Sequence, residues 1–136
     1  MRRAVVDANV LVSGLISRTG APAQLLRQLT EGSFELVVSP LVIEELRSAL
    51  HRDKFRRYVT EQEADAFVAF LESAGLMADD PDLPGTAISR DPDDDYLIAL
   101  AEQERAVLVT GDRHLLELAG SLPIYTPRAF LDLLDE

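Results

Sequence analysis

Short apolar runs alternate with longer amphipathic stretches along the chain. The runs at 4–6, 34–38 and 106–109 have the length and composition of buried strands, and 76–77 and 124–125 are shorter candidates. Helices are predicted in the intervals, over 9–16, 22–31, 40–50, 61–74, 93–104 and 113–119, and from 127 onward. This alternation predicts a single α/β domain over residues 1–136. It would be a three-layer α/β/α sandwich around a mostly parallel sheet of four or five strands.

Local signals mark where several of these helices begin and end. At 39–40 a serine precedes a proline, which starts a helix well because the hydroxyl caps free N–H groups and the ring fixes φ. The segment 60–63 matches a capping box. Gly32 is suited to end the helix predicted over 22–31. Residues 79–92 contain prolines and a glycine, and they are predicted to form a loop.

Polar residues follow the predicted strands at equivalent points. In a parallel sheet the carboxyl ends of the strands share one edge, where ligands bind at a reversal of strand order. The strand-end residues expected there are Asp7, Ser39, Thr110 and Asp112. Glu45 and the Asp94-Asp95 pair lie near the starts of helices that lean over the same edge. Several acids in one cleft need a cation in order to stay ionised together.

Composition narrows the chemistry of such a site. The chain has 136 residues and a net charge of −11, with no cysteine and only two histidines. A disulfide scaffold, a zinc finger and a thiol nucleophile are therefore excluded, and any metal must be held mainly by oxygen atoms. Oxygen ligands indicate Mg²⁺ or Mn²⁺, and these ions support hydrolysis of phosphate esters.

Each of these residues also has a plain structural interpretation. Asp7 and Asp112 are good helix caps, and only one of the neighbouring Glu44 and Glu45 is expected to face a cleft, because consecutive helical residues point about 100° apart. A calcium loop beginning at residue 91 is disfavoured, because Tyr96 occupies the position that requires glycine.

Four sequence blocks, taken in order, resemble the PIN domain family along the whole chain. They are VVDANVLVS at 5–13, SPLVIEEL at 39–46, DPDDDYLIALA at 91–101 and LVTGD at 108–112. Their form is similar to the branch of VapC-type toxins from toxin–antitoxin systems. The resemblance implies a ribonuclease that depends on Mg²⁺ or Mn²⁺ and leaves a 5′-phosphate. It also implies an acidic quartet and three supporting polar residues: Asp7, Glu45, Asp95 and Asp112, with Asn9, Ser39 and Thr110. Asp94 stays open as an alternative ligand to Asp95.

The same resemblance implies an RNA substrate, a cognate antitoxin and a homodimer. A basic segment at 47–57 interrupts the acidic chain, and we expect Arg56 and Arg57, with Arg113 near the sheet edge, to contact RNA. The sequence has no signal-peptide pattern and no apolar run long enough for a membrane span, so a cytoplasmic protein without membrane contact is expected.

Two other functions compete with the ribonuclease. The first is a non-catalytic PIN-like module that binds RNA or protein. It is disfavoured because the acidic quartet is intact and unpaired acids cost stability. The second is a small-molecule phosphohydrolase with an aspartate nucleophile. Such enzymes usually carry a second aspartate two residues later, where this chain has Asn9, and Lys54 is the only lysine.

Overall fold

A computed structural model describes residues 1–82 and 92–136, with side chains in the second range from residue 95 onward. Most of the predicted loop at 79–92 lies outside these residues. The elements are β1 (Arg3–Val6), α1 (Ala8–Ile16), α2 (Ala21–Thr30), β2 (Glu35–Val38), α3 (Pro40–Leu50), a 3₁₀ turn (Asp53–Phe55), α4 (Glu61–Ala74), β3 (Leu76–Met77), α5 (Pro92–Glu104), β4 (Val107–Val109), α6 (Arg113–Leu116), β5 (Ile124–Tyr125) and α7 (Pro127–Leu134).

The five strands form one parallel sheet in the order β3-β2-β1-β4-β5. Val5 pairs with Val37 of β2 on one side and with Leu108 of β4 on the other. The order runs outward from β1 in both directions, so the sheet reverses its winding between β1 and β4. The predicted α/β/α sandwich with a parallel sheet is thereby confirmed.

Helices cover both faces of the sheet because side chains alternate along each strand. Ala4 and Val6 face the larger core with α1, α2, α3, α4 and α7, whereas Val5 faces the smaller core with α5 and α6. All three are almost fully buried. The alternation fixes which face of β1 each helix layer covers.

The predicted helix ends are close to those observed, with one clear difference. The capping box at 60–63 is present, and the Ser39 hydroxyl accepts the Val42 N–H at the start of α3. The helix predicted over 113–119 ends at Leu116, and the chain continues in tight turns whose N–H groups bond to carbonyls three residues back. No helix in the described ranges is long and apolar enough to cross a membrane.

Candidate metal centre at the carboxyl edge of the sheet

Asp7 lies where β1 ends and α1 begins, and its carboxylate is held on both oxygens. Oδ1 accepts the Asn9 N–H at 3.1 Å, which makes Asp7 the N-cap of α1, and Oδ2 accepts the Thr110 hydroxyl at 2.9 Å. The residue is only 5% exposed. Its own N–H continues the sheet pairing by donating to the Val109 carbonyl at 2.9 Å. Asp7 is therefore fixed in both backbone and side chain.

Thr110 connects Asp7 to the second acid of this edge. It follows β4 and is completely buried, and its Oγ1 also accepts the Asp112 N–H at 3.0 Å. Asp112 is half-buried and caps α6 through an acceptor bond from the His114 N–H at 2.8 Å. The Thr110 hydroxyl thus connects the Asp7 carboxylate, after β1, to the backbone of Asp112, after β4. These strands flank the reversal of strand order, the place where ligands bind in such sheets.

The two acids open into one cleft of about 350 Å³. Its polar wall contains Asp7, Asn9, Ser13 and Asp112. The two carboxylates and the amide of Asn9 offer oxygen atoms as metal ligands, and oxygen ligands suit Mg²⁺ or Mn²⁺. Because Mg²⁺ commonly takes one or two carboxylates and keeps several waters, this donor set fits such an ion.

Glu45 lies in a different cleft on the same edge. It is exposed on α3, and it lines a space of about 460 Å³ with Glu44, Arg52 and Tyr96. Asp95 is half-buried near the start of α5, and the side chain of Asp94 lies outside the described residues. Within the described part of the chain, no three acidic, histidine or cysteine side chains form a group able to hold a metal ion. Asp7 and Asp112 thus line one cleft, whereas Glu45 lines the neighbouring one.

Ser39 leads to two residues that the sequence analysis missed. It is fully buried after β2, and its hydroxyl bonds to the hydroxyl of Tyr96 on α5, which donates in turn to Asp80 beyond β3. Asp80 also accepts the Leu41 N–H of α3 at 3.2 Å. The rule that pointed to Asp7, an acid just beyond a strand, would have pointed to Asp79 and Asp80 had it been applied to β3, without choosing between them. Nothing in the sequence marks Tyr96 as its partner.

Hydrogen bonding sets the protonation of this pair. Burial alone would raise the pKa of Asp80, but the bonds that it accepts from the Tyr96 hydroxyl and the Leu41 N–H, together with the nearby Ser39 hydroxyl, hold that pKa below its ordinary value. Burial, followed by the bond to Asp80, raises the pKa of Tyr96 far above its ordinary value. At neutral pH, Asp80 is therefore charged and Tyr96 keeps its proton.

The basic residues predicted to contact RNA have different environments. Arg56 is turned inward. Its guanidinium donates to the Leu50 carbonyl at the end of α3, and Nε and Nη1 are buried without a partner in the described residues. Arg57 is exposed over the Tyr58 ring, and Arg113 is exposed at the start of α6. Arg52, which the sequence analysis did not single out, lines the cleft that contains Glu45.

Sequence comparison assigns the family. Residues 3–114 match the PIN domain, so the chain belongs to the PIN domain family. A relative, the uncharacterized protein MJ1680 of Methanocaldococcus jannaschii, is 25% identical over 140 aligned positions, covering 96% of this chain and 90% of that protein.

Solved structures agree with the fold. PAE2754 from Pyrobaculum aerophilum superposes with a TM-score of 0.65 at 18% identity, covering 99% of this chain and 90% of that one. FitAcB from Neisseria gonorrhoeae gives 0.59 at 19% identity, with 92% and 98% covered. VapBC2 from Rickettsia felis, bound to a promoter DNA fragment, gives 0.58 at 15% identity, with 90% and 96% covered.

Proposed function

We propose that this PIN domain is a metal-dependent endoribonuclease that hydrolyses phosphodiester bonds of RNA. The observation that carries the proposal is the hydrogen-bonded unit of Asp7, Thr110 and Asp112 at the reversal of strand order. The Asp7 carboxylate keeps lone pairs free beside a second acid at a cleft, and a cation bound there would offset the repulsion between the two charges.

In this proposal Asp7 and Asp112 hold Mg²⁺ or Mn²⁺, with Asn9 beside them. Glu45 on α3 and Asp95 on α5, or Asp94 in place of Asp95, would supply further ligands or hold water molecules. The ion would supply charge stabilisation for the phosphate oxygens and lower the pKa of a water molecule.

The chain's own groups orient the reaction. Thr110 and the Asn9 N–H fix the Asp7 carboxylate, so little reorganisation is needed on binding. Water attacks phosphorus and its proton passes to a carboxylate of the site or to solvent. The bond from phosphorus to O3′ breaks, O3′ takes a proton from water, and a 5′-phosphate remains on the other fragment.

Exposed basic side chains are proposed to bind the RNA backbone. Arg52 lines the second cleft, and Arg57 and Arg113 are exposed. Arg56 is left out, because its guanidinium is occupied at the C-terminus of α3. Each phosphate contact that is removed should reduce the salt dependence of RNA binding.

We further propose that the protein is the toxin of a toxin–antitoxin pair, acts in the cytoplasm and forms a homodimer. The motif resemblance to VapC-type toxins supports this, and so does the structural likeness to VapBC2 and FitAcB. Co-expression with the protein encoded next to its gene, followed by co-purification, tests the antitoxin partner.

The test of the activity is cleavage of RNA with added Mg²⁺ or Mn²⁺ by the wild type and by Asp7→Asn. We expect Asp7→Asn to lose at least 100-fold of the cleavage rate, since removing one ligand charge weakens both metal binding and transition-state stabilisation. Asp132→Asn on the exposed side of α7 is the matched control and should cleave like the wild type. Equal cleavage by wild type and Asp7→Asn would rule out this site.

A non-catalytic PIN-like module that binds RNA or protein is the second candidate. Within the described residues no three acidic, histidine or cysteine side chains form a group able to hold a metal ion, which favours it. RNA binding by the wild type without cleavage at any concentration of Mg²⁺ or Mn²⁺ would support this module and reject the nuclease.

A further inference from the structure

Three polar side chains that take no part in the proposed reaction form one hydrogen-bonded group. We call Ser39, Tyr96 and Asp80 the tyrosine network. Tyr96 donates to Asp80, so the Ser39 hydroxyl donates to the Tyr96 oxygen, and Ser39 in turn accepts the Val42 N–H at 3.3 Å. The group connects the end of β2, the segment after β3 and the start of α5. Three elements are thereby tied at one point of the sheet edge.

This point lies beside the candidate metal centre. The parallel register pairs Ala4 with Leu36 and Val5 with Val37, and its continuation puts Ser39 opposite Asp7 on the adjacent strand. Neighbouring strands are about 4.8 Å apart. Ser39 and Asp7 are thus two buried polar residues at the ends of neighbouring strands, and Tyr96 of α5 hydrogen-bonds to Ser39.

The network is attached to α5 directly after the acidic end of that helix. Apolar residues of α5, among them Leu97, Ile98 and Leu100, pack in the smaller core, but apolar burial is not directional and leaves a helix some freedom to slide or rotate. A hydrogen bond depends steeply on its angle and length. The Tyr96 hydroxyl supplies such a tie directly after residues 93–95, the acidic run of this helix.

We infer that Tyr96 is a positioning residue: through Ser39 and Asp80 its hydroxyl fixes the start of α5, and with it Asp95, the proposed further ligand on that helix. The inference rests on the proposed function. Removing a side chain that orients ligands through hydrogen bonds commonly costs 10- to 100-fold in metal affinity. Tyr96→Phe removes the hydroxyl and keeps the ring, so it isolates this effect from packing.

The experiment is direct Mn²⁺ binding, followed by electron paramagnetic resonance, with the melting temperature of each protein recorded without metal. We expect Tyr96→Phe to raise the Mn²⁺ Kd about 10-fold. Asp80→Asn, which keeps the acceptor shape but removes its charge, should shift the Kd in the same direction by less. Tyr58→Phe alters a tyrosine that is 58% exposed and should leave the Kd unchanged.

The outcomes separate this inference from the function on which it rests. A lower melting temperature in Tyr96→Phe and Asp80→Asn with an unchanged Kd would overturn the inference, because the network would then serve stability alone. Wild-type binding no tighter than that of Asp7→Asn would refute the proposed metal site itself, and the inference with it. A shifted Kd in both network variants, against unchanged binding in Tyr58→Phe, would support it.

Discussion

The buried hydroxyl of Thr110 gives the sharpest test of how the site is built. Thr110→Val replaces that hydroxyl by a methyl group of similar shape at a fully buried position. The change removes the donor to Asp7 Oδ2 at 2.9 Å and the acceptor of the Asp112 N–H at 3.0 Å. The backbone bond from the Thr110 N–H to the Tyr125 carbonyl does not involve the side chain and should persist.

The expected cost follows from the two bonds. A hydrogen bond to a charged group contributes about 1.5–3 kcal/mol, and a neutral one about 0.5–1.5 kcal/mol. Because Asp7 keeps its bond from the Asn9 N–H, we expect Thr110→Val to lower the free energy of unfolding by about 3 kcal/mol. Thr110→Ser keeps the hydroxyl and loses one buried methyl group, which should cost about 1 kcal/mol.

Urea unfolding without metal, followed by far-ultraviolet circular dichroism, measures both variants. The hydrogen-bond argument requires Thr110→Val to be the less stable of the two by about 2 kcal/mol. If Thr110→Val is as stable as Thr110→Ser or more stable, the hydroxyl does not hold the two acids together. RNA cleavage should fall in the same order, since Asp7 would no longer be fixed.

Three further predictions concern other parts of the chain. A Cβ on Gly14 would lie 2.7 Å from the Pro22 carbonyl oxygen, so Gly14→Ala should lower the free energy of unfolding by about 1–2 kcal/mol. Gly120 has open space around it, so Gly120→Ala should have almost no effect. Equal stabilities of the two variants in urea unfolding would contradict the clash. Arg105 has φ +53° after α5, a left-handed conformation that glycine adopts without strain, so Arg105→Gly should raise the free energy of unfolding by about 0.5–1 kcal/mol. A lower free energy of unfolding in urea would show that contacts of the arginine side chain outweigh the strain. The pKa of Asp80 is lowered in the folded protein, so its contribution to stability is complete above the unfolded value of 3.8 and is lost as the pH falls through the folded value. The difference in the free energy of unfolding between wild type and Asp80→Asn should therefore shrink on acidification. A constant difference from pH 7 to pH 3 would refute this.

The position of the candidate metal centre was predictable because it depends on the backbone alone. The carboxyl ends of parallel strands lie at one edge of the sheet, so a polar residue directly after any strand lies at that edge. Asp7, Thr110 and Asp112 follow β1 and β4, and the structure joins them by hydrogen bonds. No side-chain packing had to be known in order to expect this.

The side chains that lie on helices were harder to foresee. Tyr96 meets Ser39 across 57 residues, and that meeting depends on how α5 packs on the sheet, which no local pattern determines. The basic segment 47–57 carries charge in the sequence, but only the tertiary fold decides that Arg56 points inward and Arg52 lines a cleft. The charge pattern thus predicts a basic surface, whereas tertiary packing decides which of its basic side chains are accessible to a ligand.

The two interpretations that the sequence left open for Asp7 and Asp112, helix cap and metal ligand, are compatible. Each caps a helix with a single oxygen, Oδ1, and each carboxylate oxygen has two lone pairs, so capacity remains for a cation in the cleft. Capping also holds each side chain in one rotamer before any ligand arrives, which reduces the entropy lost on binding. An aspartate that follows a strand and begins a helix is therefore well suited to a metal site because it is a good cap, and evidence for the first role is not evidence against the second.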